Sequence, residues 1–326
     1  MKVLIVGYGS MGRRRVRLIQ RLVEDVCFIC VDKNISRLQQ IKREGFQGYE
    51  SLEQAVSERP DLAFVCTSPG YHAEIILQLV GAGINVFTEL NLVDKDYDLI
   101  MKKAEENKAA VFMSGTMLYD KRIEAIDKIV KENKKPVTYI YHVGQYLPDW
   151  HPWESYRDFF IGKKETNGVR EIYAIQLPWL INTFGKIKTV SSVSQKCSDL
   201  DIDFPDSIIA SFQHDNGNIG VFTADVVSRK AVTYLEVIGE DIHLIWNGHN
   251  DDLFIYDPDK RESRLLEVYG SIEHEEGYSD NIIENRYEDE IKDFLSMVYQ
   301  HTRPRYSLQE DKYTLKIIDE IERQIE

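Results

Sequence analysis

Three glycines in the stretch VLIVGYGSMGRRR, Gly7, Gly9 and Gly12, stand at the G-x-G-x-x-G spacing. They follow a short apolar run and open a helical pattern, the context in which each glycine has its own task. Gly7 makes a tight turn, Gly9 lets the backbone come up to a pyrophosphate, and Gly12 lets helix and strand pack closely. Ser10 and Met11 lie between them, where the helix N-terminus offers N–H groups and a positive dipole end to a phosphate. Asp32 ends the next apolar run, twenty residues after Gly12. Its carboxylate can accept both hydroxyls of an adenine ribose and would repel a 2′-phosphate, which favours NAD over NADP. Lys33 and Arg37 stand beside it, and either could pair with a 2′-phosphate, so NADP stays open. Asp32 could also cap the following helix. Thr67, Ser68 and Pro69 end a further apolar run. His72 opens the helix after them, either as a capping residue or as a contact to ribose or nicotinamide.

Such residues need a scaffold that sets strand ends side by side. Apolar runs at 2–7, 26–32, 61–68, 84–90 and 109–115 alternate with helical patterns at 10–24, 34–45, 51–58, 72–83 and 95–108. Most of the runs are continuously apolar, as in a parallel sheet covered on both faces. The expected fold class is α/β, with a doubly wound Rossmann domain over residues 1–118. Beyond residue 118 the pattern changes. Longer strand-like runs at 137–146, 207–227 and 234–248 follow one another through tight turns, and DNGN at 215–218 marks a hairpin. Residues 119–326 are therefore expected to form an α+β domain with a mostly antiparallel sheet. Helices are expected at about 170–184 and in the last forty or so residues. There are no repeats and no low-complexity linker.

Composition narrows the class. The chain has 326 residues, 43% hydrophobic and 29% charged, which suits a soluble protein of two domains. A net charge of -14 argues against nucleic-acid binding, and GRRR at 12–15 is the only compact basic patch. No apolar run is long enough to span a membrane, and the N-terminus lacks the features of a signal peptide. A cytoplasmic protein without membrane association is expected. Cys27 and Cys30 form a C-x-x-C, but they sit in a strand-like run where residues three apart point to opposite faces. With no second pair to complete a zinc site, no metal is expected.

These residues resemble the glucose-fructose oxidoreductase / inositol dehydrogenase (Gfo/Idh/MocA) family. The resemblance is carried by VGYGSMGRRRVRLI, VCTSPGYHAEIILQLVGAGINVFTEL, NGVREIYAIQLPWLINTFGKIKTV and YEDEIKDFLSMVYQHTRPRYSLQED, and so runs over nearly the whole chain. It implies a C-terminal domain with a large open antiparallel sheet, and a sugar-like substrate held between that sheet and the nicotinamide. It also implies pairing into a homodimer or homotetramer through the open sheet face. The departures lie at the catalytic positions. The family's Glu-Lys-Pro is here Glu89-Leu90-Asn91, so Leu90 replaces the lysine that meets the reacting hydroxyl. Glu89 and Leu90 are expected beside the nicotinamide and Asn91 beside the substrate. The family's H-x-x-D on the second-domain helix becomes Gln176 and Trp179, both expected at the substrate. Gln176 donates and accepts hydrogen bonds but takes no proton, and Leu90 does neither.

Removing a hydride from an alcohol needs a base for the hydroxyl proton, a contribution of ~10²–10⁴-fold. Three consequences are open: another group has taken over, a conjugated acceptor is reduced with less proton help, or cofactor and ligand bind without turnover. The segment GQYLPDWHPWESYRDFFIGKKE at 144–165 is the expected source of a replacement. Trp150 and Trp153 can stack on sugar faces, and Arg157 can hold an anionic group. His151, Tyr156 and Lys163 are the candidate acid/base groups. YLPDWHPWESYR with REIYAIQLPWL further resembles members associated with the biosynthesis of sialic-acid-like sugars and other surface polysaccharides, which implies a nucleotide-activated or acidic sugar. The reading is a nicotinamide-dependent sugar oxidoreductase; the alternative is a sensor or partner protein of the same fold.

Overall fold

The computed structural model describes residues 1–150, 155–248, 252–270, 272–273 and 283–323. The chain begins β1 (Lys2–Val6), α1 (Ser10–Leu22), β2 (Cys27–Val31), α2 (Ile35–Arg43), β3 (Gln47–Tyr49) and α3 (Leu52–Ser57). It continues β4 (Leu62–Val65), α4 (His72–Gly81), β5 (Asn85–Thr88), α5 (Tyr97–Glu106) and β6 (Val111–Met113). Then come α6 (Lys121–Glu132), β7 (Thr138–Gly144), α7 (Gly168–Phe184), β8 (Ile187–Gln195), β9 (Ser207–His214) and β10 (Ile219–Asp225). β11 (Val232–Ile238), β12 (His243–Trp246), β13 (Leu253–Asp257), β14 (Glu262–Leu265), α8 (Glu284–Gln300) and α9 (Leu308–Arg323) close it. Two compact units result: Met1–Gly115 with Tyr287–Lys312, and Thr116–Arg286 with Tyr313–Glu326.

The first unit is the doubly wound one. Its six strands are all parallel in the order β3-β2-β1-β4-β5-β6. Apart from Lys2, β1 and β4 are apolar and buried, as a sheet covered on both faces requires. On one face Phe64, Phe87 and Phe112 are register partners and stack at 4.9 and 5.0 Å, with Phe294 of α8 set against them. The short strand β3 was not foreseen, because Gln47–Tyr49 carries only one bulky apolar side chain.

The second unit holds the larger sheet, in the order β14-β13-β12-β11-β7-β10-β9-β8. The expected hairpin is there: β9 and β10 pair antiparallel, and Gly217 turns between them at φ +92°. One neighbour pair, β7 with β10, runs parallel; the others are antiparallel. Side chains alternate. Tyr139 and Tyr141 of β7 turn under α7, where Tyr139 stacks on Phe184 at 4.2 Å and Tyr141 meets Trp179 edge-on at 5.3 Å. The opposite face carries exposed Ile140, Val193, Ile209, Ile219 and Ile238. No helix among the described residues is long and apolar enough to cross a membrane.

Candidate nucleotide site and the corner beside it

The sheet order reverses between β1 and β4, and their C-terminal ends open the crevice where such folds bind ligands. The three glycines there are required to different degrees. Gly7 has φ +93°, and a Cβ on it would stand 2.8 Å from the Cys66 carbonyl oxygen. A Cβ on Gly12 would lie 2.1 Å from the Gly7 oxygen, so only glycine lets α1 approach β1 so closely. A Cβ on Gly9 meets nothing nearer than the Arg37 guanidinium at 3.7 Å. The chain itself thus does not demand glycine at position 9; a ligand approaching the backbone would. α1 opens with no side-chain cap and no acid in its first turn, which leaves its positive end suited to phosphate. Ser10 and Met11 form that turn, half-buried.

Asp32 is buried at the end of β2. It accepts hydrogen bonds from the backbone N–H groups of Tyr8 and Asn34, each at 2.8 Å, and Arg37 approaches it at 3.4 Å. The helix cap suggested for Asp32 falls instead to Asn34, whose side chain accepts from Ser36 and Arg37 N–H. Lys33 is exposed. Beyond β4, the hydroxyl of Thr67 is buried with no hydrogen-bond partner among the described residues, a polar atom left for a ligand at the strand end. Ser68 is half-buried, and Pro69 starts a 3-10 turn. Strand-end glycines, a buried acidic residue on β2 and this orphaned hydroxyl together fit a dinucleotide.

The corner after β5 differs from its sequence expectation. Glu89 turns inward: its carboxylate takes Arg15 Nε at 2.6 Å and Nη2 at 3.1 Å, while Arg15 also reaches Glu290 at 2.7 Å. Burial, with the Glu89 charge, holds the Glu290 carboxyl above its ordinary range despite Arg15. Asn91, expected at the substrate, is also buried. Its oxygen bonds His72 Nδ1, and its NH2 donates to the Tyr97 hydroxyl at 2.7 Å, which donates in turn to Asp311. His72 Nε2 faces the Thr67 carbonyl at 2.8 Å, so His72 braces the corner from within; burial lowers its pKa against the pull of its hydrogen-bond partners. Leu90, half-buried, lies between two residues that both point into the unit.

In the second unit, Gln176 and Trp179 are buried and joined. Trp179 Nε1 and the Tyr141 hydroxyl both donate to Gln176 Oε1, at 2.9 and 2.8 Å. Trp179 is fully buried in the core, so its expected place at the substrate is corrected. Tyr156 accepts from the Asp201 N–H at 3.2 Å, and exposed Arg157 pairs with Asp201 at 2.9 Å. Lys163 is exposed. Trp150 donates to the Gln145 carbonyl at 3.1 Å. His151 and Trp153 lie outside the described residues. Sequence reasoning missed Arg15, although it shares the buried stripe Gly12, Arg15, Leu18, Ile19 of α1. That i, i+3, i+4 spacing was the available signal.

Residues 1–114 match the family described as GFO_IDH_MocA, an oxidoreductase family with an NAD-binding Rossmann fold. Human biliverdin reductase A is 25% identical over 196 residues, 60% of this chain; the match spans 62% of that protein. UDP-N-acetylglucosamine 3-dehydrogenase from Acidithiobacillus ferrooxidans superposes with a TM-score of 0.76 at 15% identity, over 100% of this chain and 97% of that one. The WlbA dehydrogenase of Chromobacterium violaceum, in complex with NADH and UDP-GlcNAcA, gives 0.79 at 14% identity, over 99% and 93%. At these identities the two structures speak for the shared fold.

Proposed function

We propose, from the premise that residues 1–114 are an NAD-binding Rossmann domain of the Gfo/Idh/MocA oxidoreductase family, that the chain is a nicotinamide-dependent oxidoreductase. Its substrate class is a sugar-like alcohol or carbonyl, of the nucleotide-sugar or sugar-acid kind, in the making of surface polysaccharides or sialic-acid-like sugars. The observation that carries the reading is the nucleotide crevice, with Gly9 free of steric demand and the Thr67 hydroxyl left unbonded. Bound NAD would accept or return a hydride. Gly7, Gly9 and α1 would take its pyrophosphate, Asp32 its ribose, and Thr67 would bond within the crevice. Arg37, beside Asp32, would let NADP bind more weakly. Relatives of this fold that act on UDP-sugars support the substrate class. A second copy covering the apolar open sheet face, in a cytoplasmic oligomer, completes the reading.

A titration of NADH fluorescence, followed by NAD⁺ with a panel of UDP-sugars and sugar acids, tests it. Micromolar binding and growth of reduced-nicotinamide absorbance with at least one UDP-sugar are expected; binding without turnover on any member counts against it. That second outcome is the alternative reading, a ligand-binding protein without turnover. Leu90 in the lysine position and the closed Gln176–Trp179 pair speak for that alternative.

A further inference from the structure

His72, buried at the start of α4, is surrounded by acceptors. Its Nε2 lies 2.8 Å from the Thr67 carbonyl, and its Nδ1 meets Asn91 Oδ1. The Thr88 hydroxyl, 3.3 Å from Nδ1, directs its own proton to the Glu89 carbonyl at 3.1 Å. No donor among the described residues faces either ring nitrogen. A neutral imidazole has one nitrogen that must accept; in this setting its lone pair would face an oxygen. With both nitrogens protonated, every contact is satisfied.

The far side of Asn91 runs in the same direction. Its Nδ2 donates to the Tyr97 oxygen at 2.7 Å, and the Tyr97 hydroxyl donates to Asp311, which also receives Tyr306 at 3.0 Å. The chain thus leads from an imidazolium to a carboxylate, with every proton pointing one way. A second arrangement fits the same heavy-atom positions. With the proton on Asp311, Tyr97 turns its hydroxyl to Asn91, the Asn91 amide turns over, and its NH2 donates to a neutral His72 Nδ1. The net change is one N–H lost at His72 and one O–H gained at Asp311. Burial, which lowers the His72 pKa, pulls toward the neutral arrangement; the Thr67 and Asn91 bonds and the Glu89 charge pull toward the charged one. Glu89 itself is held by Arg15 of α1, and Tyr97 faces Asp94 as well as Asp311.

Thr67 ties this chain to the crevice, within the same compact unit. A Cβ on Gly7 would stand 3.1 Å from Thr67 Cγ2, so Thr67 packs against the glycine turn. Its buried hydroxyl has no partner among the described residues. Resting on the cofactor reading above, we propose that dinucleotide binding is coupled to the direction of this chain: an anionic diphosphate against the glycine turn draws the proton to His72, behind Thr67, and leaves Asp311 ionised. His72 is then a positioning residue that acts on the cofactor through Thr67. Coupling is reciprocal, so whatever holds the proton on His72 tightens the dinucleotide by the same factor.

The test uses the full chain with NADH, and with ADP-ribose as a probe that has the diphosphate but no nicotinamide. Nitrogen-15 NMR of the His72 ring should show the doubly protonated fraction rise on addition of either ligand. The infrared band of the Asp311 carboxylic acid, identified by its loss in Asp311→Asn, should fade in step. Asp311→Asn and His72→Gln should each weaken both ligands about fivefold or more, and in Asp311→Asn the His72 ring should no longer respond to ligand. A purely structural role would weaken binding without moving either spectrum. A wild-type ring whose protonation is the same with and without bound NADH, whether charged or neutral, overturns the coupling while the cofactor reading stands. If neither NADH nor ADP-ribose binds, the cofactor reading falls and the coupling with it. Should both variants fail to fold, the wild-type ring spectrum with and without NADH decides.

Discussion

Arg15 is the residue on which the first unit's electrostatics turn. One guanidinium, fully buried, faces two buried carboxylates, Glu89 and Glu290, and lies 4.3 Å over the Phe87 ring. Removing one partner of such a group leaves charge without compensation and typically costs about 3–5 kcal/mol. Arg15→Met should lose that much in urea unfolding. The loss should be smallest in acid, where protonation relieves the repulsion, and should grow as pH rises. Glu290→Gln in the same background should recover part of it. A loss under about 1 kcal/mol, in the range of an exposed pair, would sink this account. Gly12 makes a sharper demand, because a Cβ there would stand 2.1 Å from a backbone oxygen. Gly12→Ala should displace α1 from β1 and weaken NADH binding tenfold or more, read by fluorescence titration; Gly81→Ala on α4, with open space around it and no left-handed backbone, serves as the control for a substitution away from the crevice. At Leu90 the expectation is negative. Leu90→Lys alone should not raise sugar dehydrogenase activity above that of the wild type, because Gln176 still cannot exchange a proton.

At the scale of elements, the corner after β5 is set by a chain of buried polar groups. Thr67 O, His72, Asn91, Tyr97 and Asp311 are linked in sequence, and Tyr306 closes the far end on Asp311 at 3.0 Å. Asn91→Leu would leave His72 and Tyr97 each short of a partner in a dry interior. A loss of about 1–3 kcal/mol in thermal or urea unfolding is expected; an unchanged midpoint would mean water fills the gap. This chain also marks where sequence reading stops. The parallel sheet, the glycine loop and the β9–β10 hairpin were legible, because apolar runs and φ-demanding residues are written locally. The inward turn of Asn91 and Glu89 was not, since it depends on Arg15, Asp311 and Glu290, whose separation in sequence hides the contact. Trp179 misled for a related reason. The resemblance implied a polar residue at that position, whereas here an indole fills the core and bonds Gln176.

For the whole molecule, the decisive surface is the open face of the larger sheet. Val193 and Ile209 are cross-strand partners on β8 and β9, and Ile140 pairs with Val221 across β7 and β10. Ile209 is 44% exposed and Val193 66%, in a band bordered by the His142–Asp225 and His243–Glu236 pairs. An apolar band with a polar margin has the make-up of an interface core and rim. A second copy of the chain would cover it with the same band, since a two-fold axis brings like patches together. A charge at the centre of that band must be desolvated without a partner, while on an exposed strand of a free chain it costs little. Ile209→Asp should therefore convert the oligomer to a monomer in sedimentation velocity while the thermal midpoint of the isolated fold barely moves. Ile35→Asp, at 70% exposure on α2 of the first unit, should leave the sedimentation coefficient alone. If the wild type sediments as a monomer at tens of micromolar, the open face has another role; if Ile209→Asp stays oligomeric, the copies meet elsewhere.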